Sequence, residues 1–307
     1  MDKAAIDKLI EAQFSALPPR LRQAARYAID HPKDIALESM RAAAGHAGVQ
    51  AGVMLRLARQ LGFDTYEAFR QPYRDWLAAG GASFSGRATA LRKRPQRDAD
   101  AGLVADILEA EVRNLGSSLG PAALPALKAA HGALAGARRI YVIGLRSLYP
   151  AAYHFSYVCG MFLDRVTLLT GVGGTLADEL RRIGPRDALI AFSQAPYARA
   201  AVAAVEFARE RGAGVVAVTD SAVSPIAPGA KALLLVASDT PSLFPSVVPA
   251  LSIAQTLAAM LVAHSGKESL REIANSEAQL QRFGRRHLAP RQQQRQRGRD
   301  ADQARQA

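Results

Sequence analysis

Residues 188–219 read ALIAFSQAPYARAAVAAVEFARERGAGVVAVT. A short apolar run, Ala188–Phe192, gives way to a loop around Pro196, then to a segment with helical spacing over about 198–212, then to a second apolar run, Val215–Thr219. Runs of this length, apolar on both faces and separated by one helix, are what parallel strands with a crossover require. The same alternation extends in both directions. Ile140–Ile143 and Val166–Leu169 precede it and Leu233–Val236 follows, with helical segments at about 148–162, 174–182 and 247–264. The pattern predicts an α/β/α sandwich around a five-stranded parallel sheet. Two helices at about 103–118 and 122–135 lead into it, and a polar amphipathic helix over about 267–282 closes it.

Upstream the period changes from strand runs to short helices, so the fold class is α plus α/β. Ile6, Leu9, Ile10 and Phe14 fall at helical spacing until Leu17-Pro18-Pro19 stops them. A second helix carries Leu21, Ala24, Ala25 and Ala28 and ends at His31-Pro32; Ser39 is suited to cap a third. Gly48 marks a tight turn, a fourth helix runs from about Ala51 to Leu61 with Gly62 as its stop, and Thr65 opens a fifth carrying Phe69, Tyr73, Trp76 and Leu77. The stretch 80–100, rich in Gly and Ser with a basic cluster at Arg92, Lys93, Arg94 and Arg97, reads as a flexible linker. The expected division is 1–79 helical, 80–100 linker, 101–283 α/β, and a disordered basic tail over 284–307, which has no apolar face.

Charge follows the same division. Residues 1–97 hold 16 Lys and Arg against 9 Asp and Glu, residues 98–280 hold 15 against 16, and residues 281–307 hold 8 against 2. The excess sits at the two ends, which suits a basic module meeting a polyanion beside a neutral module with another task. No apolar run is long enough for a membrane span. The amphipathic start MDKAAIDKLIEAQF is unlike a targeting peptide, so a cytoplasmic location is expected. Cys159 is the single cysteine, so a multi-cysteine zinc site is excluded, and neither metal nor cofactor is expected.

The segment Ser39–Gly62, SMRAAAGHAGVQAGVMLRLARQLG, has the logic of a helix-turn-helix. Ala42, Ala43 and Ala44 allow close helix crossing, Gly48 turns the chain, and Val49, Val53 and Leu57 bury one side of the second helix. Gln50, Ala51, Met54, Arg56 and Arg59 are then expected toward a DNA groove or its phosphates. From Leu17 to Leu77 the chain resembles the N-terminal domain of the RpiR family of bacterial regulators. The matching features are His31-Pro32, the alanine-rich helix, Gly48-Val49, Arg56, Leu61-Gly62-Phe63 and Tyr66-x-x-Phe69. Where the family has Ser after the valine and Thr two residues on, this chain has Gln50 and Gly52, a poor cap and a helix-weakening residue. That shifts the expected reading surface toward Arg56 and Arg59.

Residues 138–264 are similar to the sugar isomerase (SIS) domain that follows in the same family. The resemblance implies a ligand, in the family a sugar phosphate, held at the C-terminal ends of the strands. On the family's Gly-x-Gly-x-Ser loop, Ser147 matches the serine and Arg146 replaces the second glycine. On its Ser-x-Ser-Gly-x-Thr loop only Ser193 survives; Ala195, Pro196 and Ala198 remove the glycine and two hydroxyls, while Tyr197 and Arg199 offer other donors. Thr219 and Ser224-Pro225 match the third region. The ligand candidates are therefore Arg146, Ser147, Ser193, Tyr197, Arg199, Thr219 and Ser224, for a small anionic metabolite. A carboxylate or phosphorylated amine is a second class, and a degenerate scaffold serving only dimerisation a third possibility.

An isomerase would need a base beside a carbonyl. Glu179 reads as part of a solvated helix face, His154 as packing among aromatic residues, and His264 as a helix-end cation, so no catalytic residue is assigned. The expected protein is a non-enzymatic, DNA-binding regulator, dimeric or tetrameric, on a double-stranded operator. A phosphosugar isomerase with an accessory helical domain is the alternative, and an effector-blind architectural DNA-binding protein a further one.

Overall fold

The computed structural model describes residues 1–78, 84–94 and 99–283. The tail over 284–307 and Arg97 of the basic cluster lie outside the described residues.

The sheet is wholly parallel, with strands β1 (Ile140–Gly144), β2 (Val166–Leu168), β3 (Ala188–Phe192), β4 (Gly214–Thr219) and β5 (Ala232–Leu235) in the order β2-β1-β3-β4-β5. Gly144 pairs with Phe192 and Phe192 with Val218, so three strands end level and their loops emerge at one edge. Alternation along each strand feeds two cores. Ile140, Val142, Ile190 and Phe192 face α9 (Leu124–Ala135), α10 (Tyr149–Gly160) and α13 (Val248–Ala263). Tyr141, Ile143, Leu189 and Ala191 face α11 (Leu176–Leu180) and α12 (Arg199–Glu210). Against α13 packs α8 (Ala99–Leu119), whose buried Asn114 and Ser118 bond the loop after β5: Asn114 Nδ2 donates to the Asp239 carbonyl (2.6 Å), and Ser118 Oγ accepts from the Ala237 N–H (2.9 Å). The expected closing helix is present as α14 over Lys267–Phe283. Among the described residues no single helix is long and apolar enough to cross a membrane.

At the opposite, N-terminal edge of the sheet, Arg138 grips Asp187 with two hydrogen bonds of 2.9 Å each. The Asp187 side chain is fully buried and also accepts from the Gly184 N–H at 2.9 Å. Burial pushes its carboxyl upward, but the Arg138 fork and the Gly184 N–H outweigh this and hold it below the ordinary carboxylate value.

The N-terminal helices are α1 (Lys3–Gln13), α2 (Pro19–Asp30), α3 (Pro32–Leu37), α4 (Met40–His46), α5 (Ala51–Gln60) and α6 (Tyr66–Ala78). They close over a core containing Ile6, Ile10, Ile35, Leu57, Phe69 and Tyr73. The caps fall where their residue types place them: Ser39 Oγ accepts from the Ala42 N–H (3.2 Å) and Thr65 Oγ1 from the Ala68 N–H (3.1 Å). Gly48 and Gly62 take left-handed φ values of 67° and 87°.

Two elements differ from the sequence expectation. His31-Pro32 ends α2 but also starts α3, because proline at a first helical position stops one helix and begins another. Within the expected linker, Phe84–Arg92 forms a helix, α7, whose Phe84 ring lies 4.4 Å from that of Phe244. Tertiary contact overrides the Gly- and Ser-rich composition there.

The helical unit touches the sheet's C-terminal edge. Arg26 of α2 donates to the Val223 carbonyl (2.6 Å) in the loop after β4. Glu11 and Asp30 face the same loop, and both carboxyls are raised, first by burial and in part by the charge of Asp220.

Candidate functional site

Three loops build a cleft at the C-terminal edge of the sheet. After β1, Arg146–Leu148 make one 3-10 turn before α10. Gly144 must be glycine here, since a Cβ would stand 2.6 Å from the Leu148 carbonyl oxygen and 2.8 Å from Ala152 Cβ. Arg146 has a φ of 55°, the one positive value at a non-glycine among the described residues, a conformation that costs about 1 kcal/mol. The chain therefore keeps an arginine where the backbone favours glycine.

After β3, the loop to α12 is fastened by Asp220, which follows β4. Its Oδ2 accepts from the Ala195 N–H (3.0 Å), and its Oδ1 from the Tyr197 hydroxyl (2.8 Å) and the Thr219 hydroxyl (3.2 Å). Burial, then the charge of Asp220, push the Tyr197 phenol well above its ordinary value, so it stays a neutral donor to Asp220.

The cleft is small, with about 90 Å³ of interior space, and opens to solvent. Its polar lining is Arg146, Ser147, Ser193 and Gln194. Its apolar wall includes Phe84, Pro196, Phe244 and Pro245. Ser193 and Gln194 are 4% and 6% exposed. Gln194 Nε2 donates to the Ser246 carbonyl (3.3 Å), while its Oε1 is buried without a hydrogen-bond partner. A buried, unsatisfied acceptor at a cleft wall is costly unless a bound molecule supplies a donor.

Of the sequence-predicted ligand residues, the structure brings Arg146, Ser147 and Ser193 into the cleft. Tyr197 and Thr219 are committed to Asp220, and Thr219 is fully buried. Ser224 is also fully buried, away from the lining, and Arg199 is exposed on the first turn of α12. These four do not line the cleft. Sequence reasoning missed Gln194, Phe84, Phe244 and the fastening role of Asp220. Only Gln194 left a signal, as an amide in a loop that had lost its hydroxyls.

The α4–α5 pair shows which helix face is free. Arg56 and Arg59 are exposed on one side of α5, while Val53, Met54, Leu57 and Ala58 are buried on the other. Met54 is fully buried, so its expected place toward DNA is corrected: the apolar stripe is two residues wide per turn, not one. Ala51 is half-buried against the same core. Gln50 is exposed at the N-cap, with no side-chain capping bond.

None of the base candidates lines the cleft. Glu179 is not on a solvated face: it accepts from the Thr170 N–H (2.8 Å), the Gly171 N–H (3.1 Å) and the Thr175 hydroxyl (2.9 Å), tying the loop after β2. His264 ends α13 with Nδ1 2.9 Å from the Met260 carbonyl, and His154 sits half-buried on α10.

Comparison with known proteins identifies the sheet region. The SIS domain family matches residues 133–264. These residues are a SIS domain. The chain is similar to the sugar isomerase domain of an RpiR transcription factor from Sphaerobacter thermophilus, at 28% identity and a TM-score of 0.53, covering 57% of this chain and 98% of that one. The Vibrio vulnificus NanR protein complexed with ManNAc-6P aligns at 17% identity and a TM-score of 0.54, over 91% of this chain and 98% of that one, a likeness of fold that includes the helices before the SIS domain. No curated protein matches the chain. The order expected from the resemblance, a helical region and then a SIS domain, is the observed one.

Proposed function

We propose that this chain is a cytoplasmic DNA-binding transcription regulator, with α4 and α5 as the helix-turn-helix and the SIS domain as sensor of a small anionic metabolite. One observation carries the first half: the free face of α5 presents Arg56 and Arg59, with Gln50 at its entry, in the part of the chain holding the largest excess of positive charge. The RpiR and NanR likenesses support the pairing of this unit with a SIS domain. The sensing half rests on the cleft, whose unpaired Arg146 and buried Ser193 suit an anion such as a sugar phosphate. Its lining among the described residues contains no carboxylate or imidazole to move a proton, which favours sensing over the isomerase alternative.

The working division is 1–79 for DNA, 80–100 as connector, 101–283 for the effector, and 284–307 as a basic tail able to add sequence-independent affinity. A homodimer or homotetramer on a pseudo-palindromic operator fits the exposed apolar stripe Val104, Leu108 and Val112 along α8.

The test is a gel-shift titration on a duplex carrying the upstream region of the protein's own gene, at fixed salt. Arg56→Ala combined with Arg59→Ala should weaken binding about tenfold or more with thermal stability unchanged. Binding equal to wild type would overturn the DNA-reading assignment.

A further inference from the structure

We infer that the effector is a hydroxy-substituted aromatic carboxylate rather than a polyhydroxylated sugar phosphate. This rests on reading the cleft as the effector site, and it names the chemistry that the lining selects.

Three features converge. The first is the charge. Arg146 is the sole charged residue of the described lining, is exposed, and has no ion-pair partner. Its guanidinium fork can take two oxygens of one carboxylate as readily as two of a phosphate. Of the positions that would wrap a phosphate with hydroxyls, Ser147 and Ser193 remain, whereas Ala195, Pro196 and Ala198 offer none. The left-handed backbone at Arg146 adds weight, because a strained conformation held by a non-glycine residue marks a side chain retained for use.

The second is the body of the ligand. The apolar part of the lining holds the paired rings of Phe84 and Phe244 together with Pro196 and Pro245. A sugar ring can set only its C–H face on this wall and must find partners for its hydroxyls elsewhere in the lining. A flat aromatic ring loses little and gains stacking.

The third is the hydrogen-bond polarity at Gln194. Gln194 donates its amide N–H to the Ser246 carbonyl, which fixes Oε1 as the group left without a partner. A buried acceptor asks for a donor, such as a phenolic hydroxyl. A bare benzoate would leave it unsatisfied.

The experiment uses the full-length chain and a panel of benzoate, hydroxybenzoate isomers and hydroxyphenylacetate isomers, set against glucosamine 6-phosphate and inorganic phosphate. Thermal shift would rank the panel and calorimetric titration would give dissociation constants. At least one hydroxy-aromatic carboxylate should bind about tenfold or more tightly than glucosamine 6-phosphate. Arg146→Gly, which suits the backbone, and Phe244→Ala should each weaken it about tenfold. Gln194→Leu should weaken the hydroxylated ligand while leaving benzoate unchanged. Tighter binding of glucosamine 6-phosphate would overturn this inference and leave the sensing function standing. Binding of neither class, with duplex binding intact, would overturn both. An aromatic acid that binds equally well to the Arg146→Gly and Phe244→Ala variants would place its site elsewhere and sink the assignment.

Discussion

The two edges of the parallel sheet treat buried polar groups in opposite ways. At the N-terminal edge, buried Asp187 is satisfied from within the chain by the Arg138 fork and the Gly184 N–H. At the C-terminal edge, Gln194 Oε1 and Ser224 Oγ are buried without partners, and Arg146 is held in a left-handed conformation with no counter-ion. Both edges are made by the same strands. The chain accepts a stability cost at one edge only: groups completed internally hold the fold, whereas groups left incomplete await something from outside.

The comparison can be broken most directly at Asp187. Asp187→Ala frees the Gly184 N–H and Arg138, and should cost about 2 kcal/mol in denaturant unfolding near neutral pH. The pH dependence follows from the depressed carboxyl: its stabilisation is fully present above the unfolded value of 3.8 and is lost as pH falls through the lower folded value. The gap between wild type and an Asp187→Asn variant should therefore be widest near neutrality and close in acid. A gap that grows on acidification would contradict the pairing as the stabilising element.

A smaller effect of opposite sign is expected at the cleft. Gln194→Leu removes an unsatisfied acceptor and one long hydrogen bond, and should raise unliganded stability by up to about 1 kcal/mol. A loss of the same size would show that the acceptor is satisfied in solution and that this edge is as complete as the other. Smallest of all, Arg146→Gly should shift stability by no more than about 0.5 kcal/mol, because relief at φ 55° is offset by the freedom glycine gains in the unfolded chain. The melting temperature without ligand checks this directly.

The sheet was legible because a parallel strand buried on both faces leaves a continuous apolar run, and Ala188–Phe192 and Gly214–Thr219 are such runs. The start of the cleft was legible for the same reason, since Arg146, Ser147 and Ser193 sit just past strand ends. Beyond that, the loops obey contacts that no local pattern records. Tyr197 and Thr219 turn to Asp220 because a carboxylate lies within reach, and Phe84 meets Phe244 from a distant part of the chain. Met54 was misplaced because a helix packed on two sides buries a broader stripe than one packed on a single neighbour. The Gly- and Ser-rich composition over 80–100 hid the helix Phe84–Arg92, whose Phe84 meets Phe244.

The contact of Arg26 with the Val223 carbonyl bears on how the protein can be dissected. Composition invites a cut near residue 80, but the peptide segment Thr219–Val223 is bonded from both sides of that cut: one end anchors the cleft loop through Asp220, the other receives the guanidinium of α2. An excised C-terminal fragment would carry that segment with one of its moorings gone. Affinities measured on the fragment would then describe a looser receptor than the intact chain, and the difference between the two would measure how strongly the halves are linked.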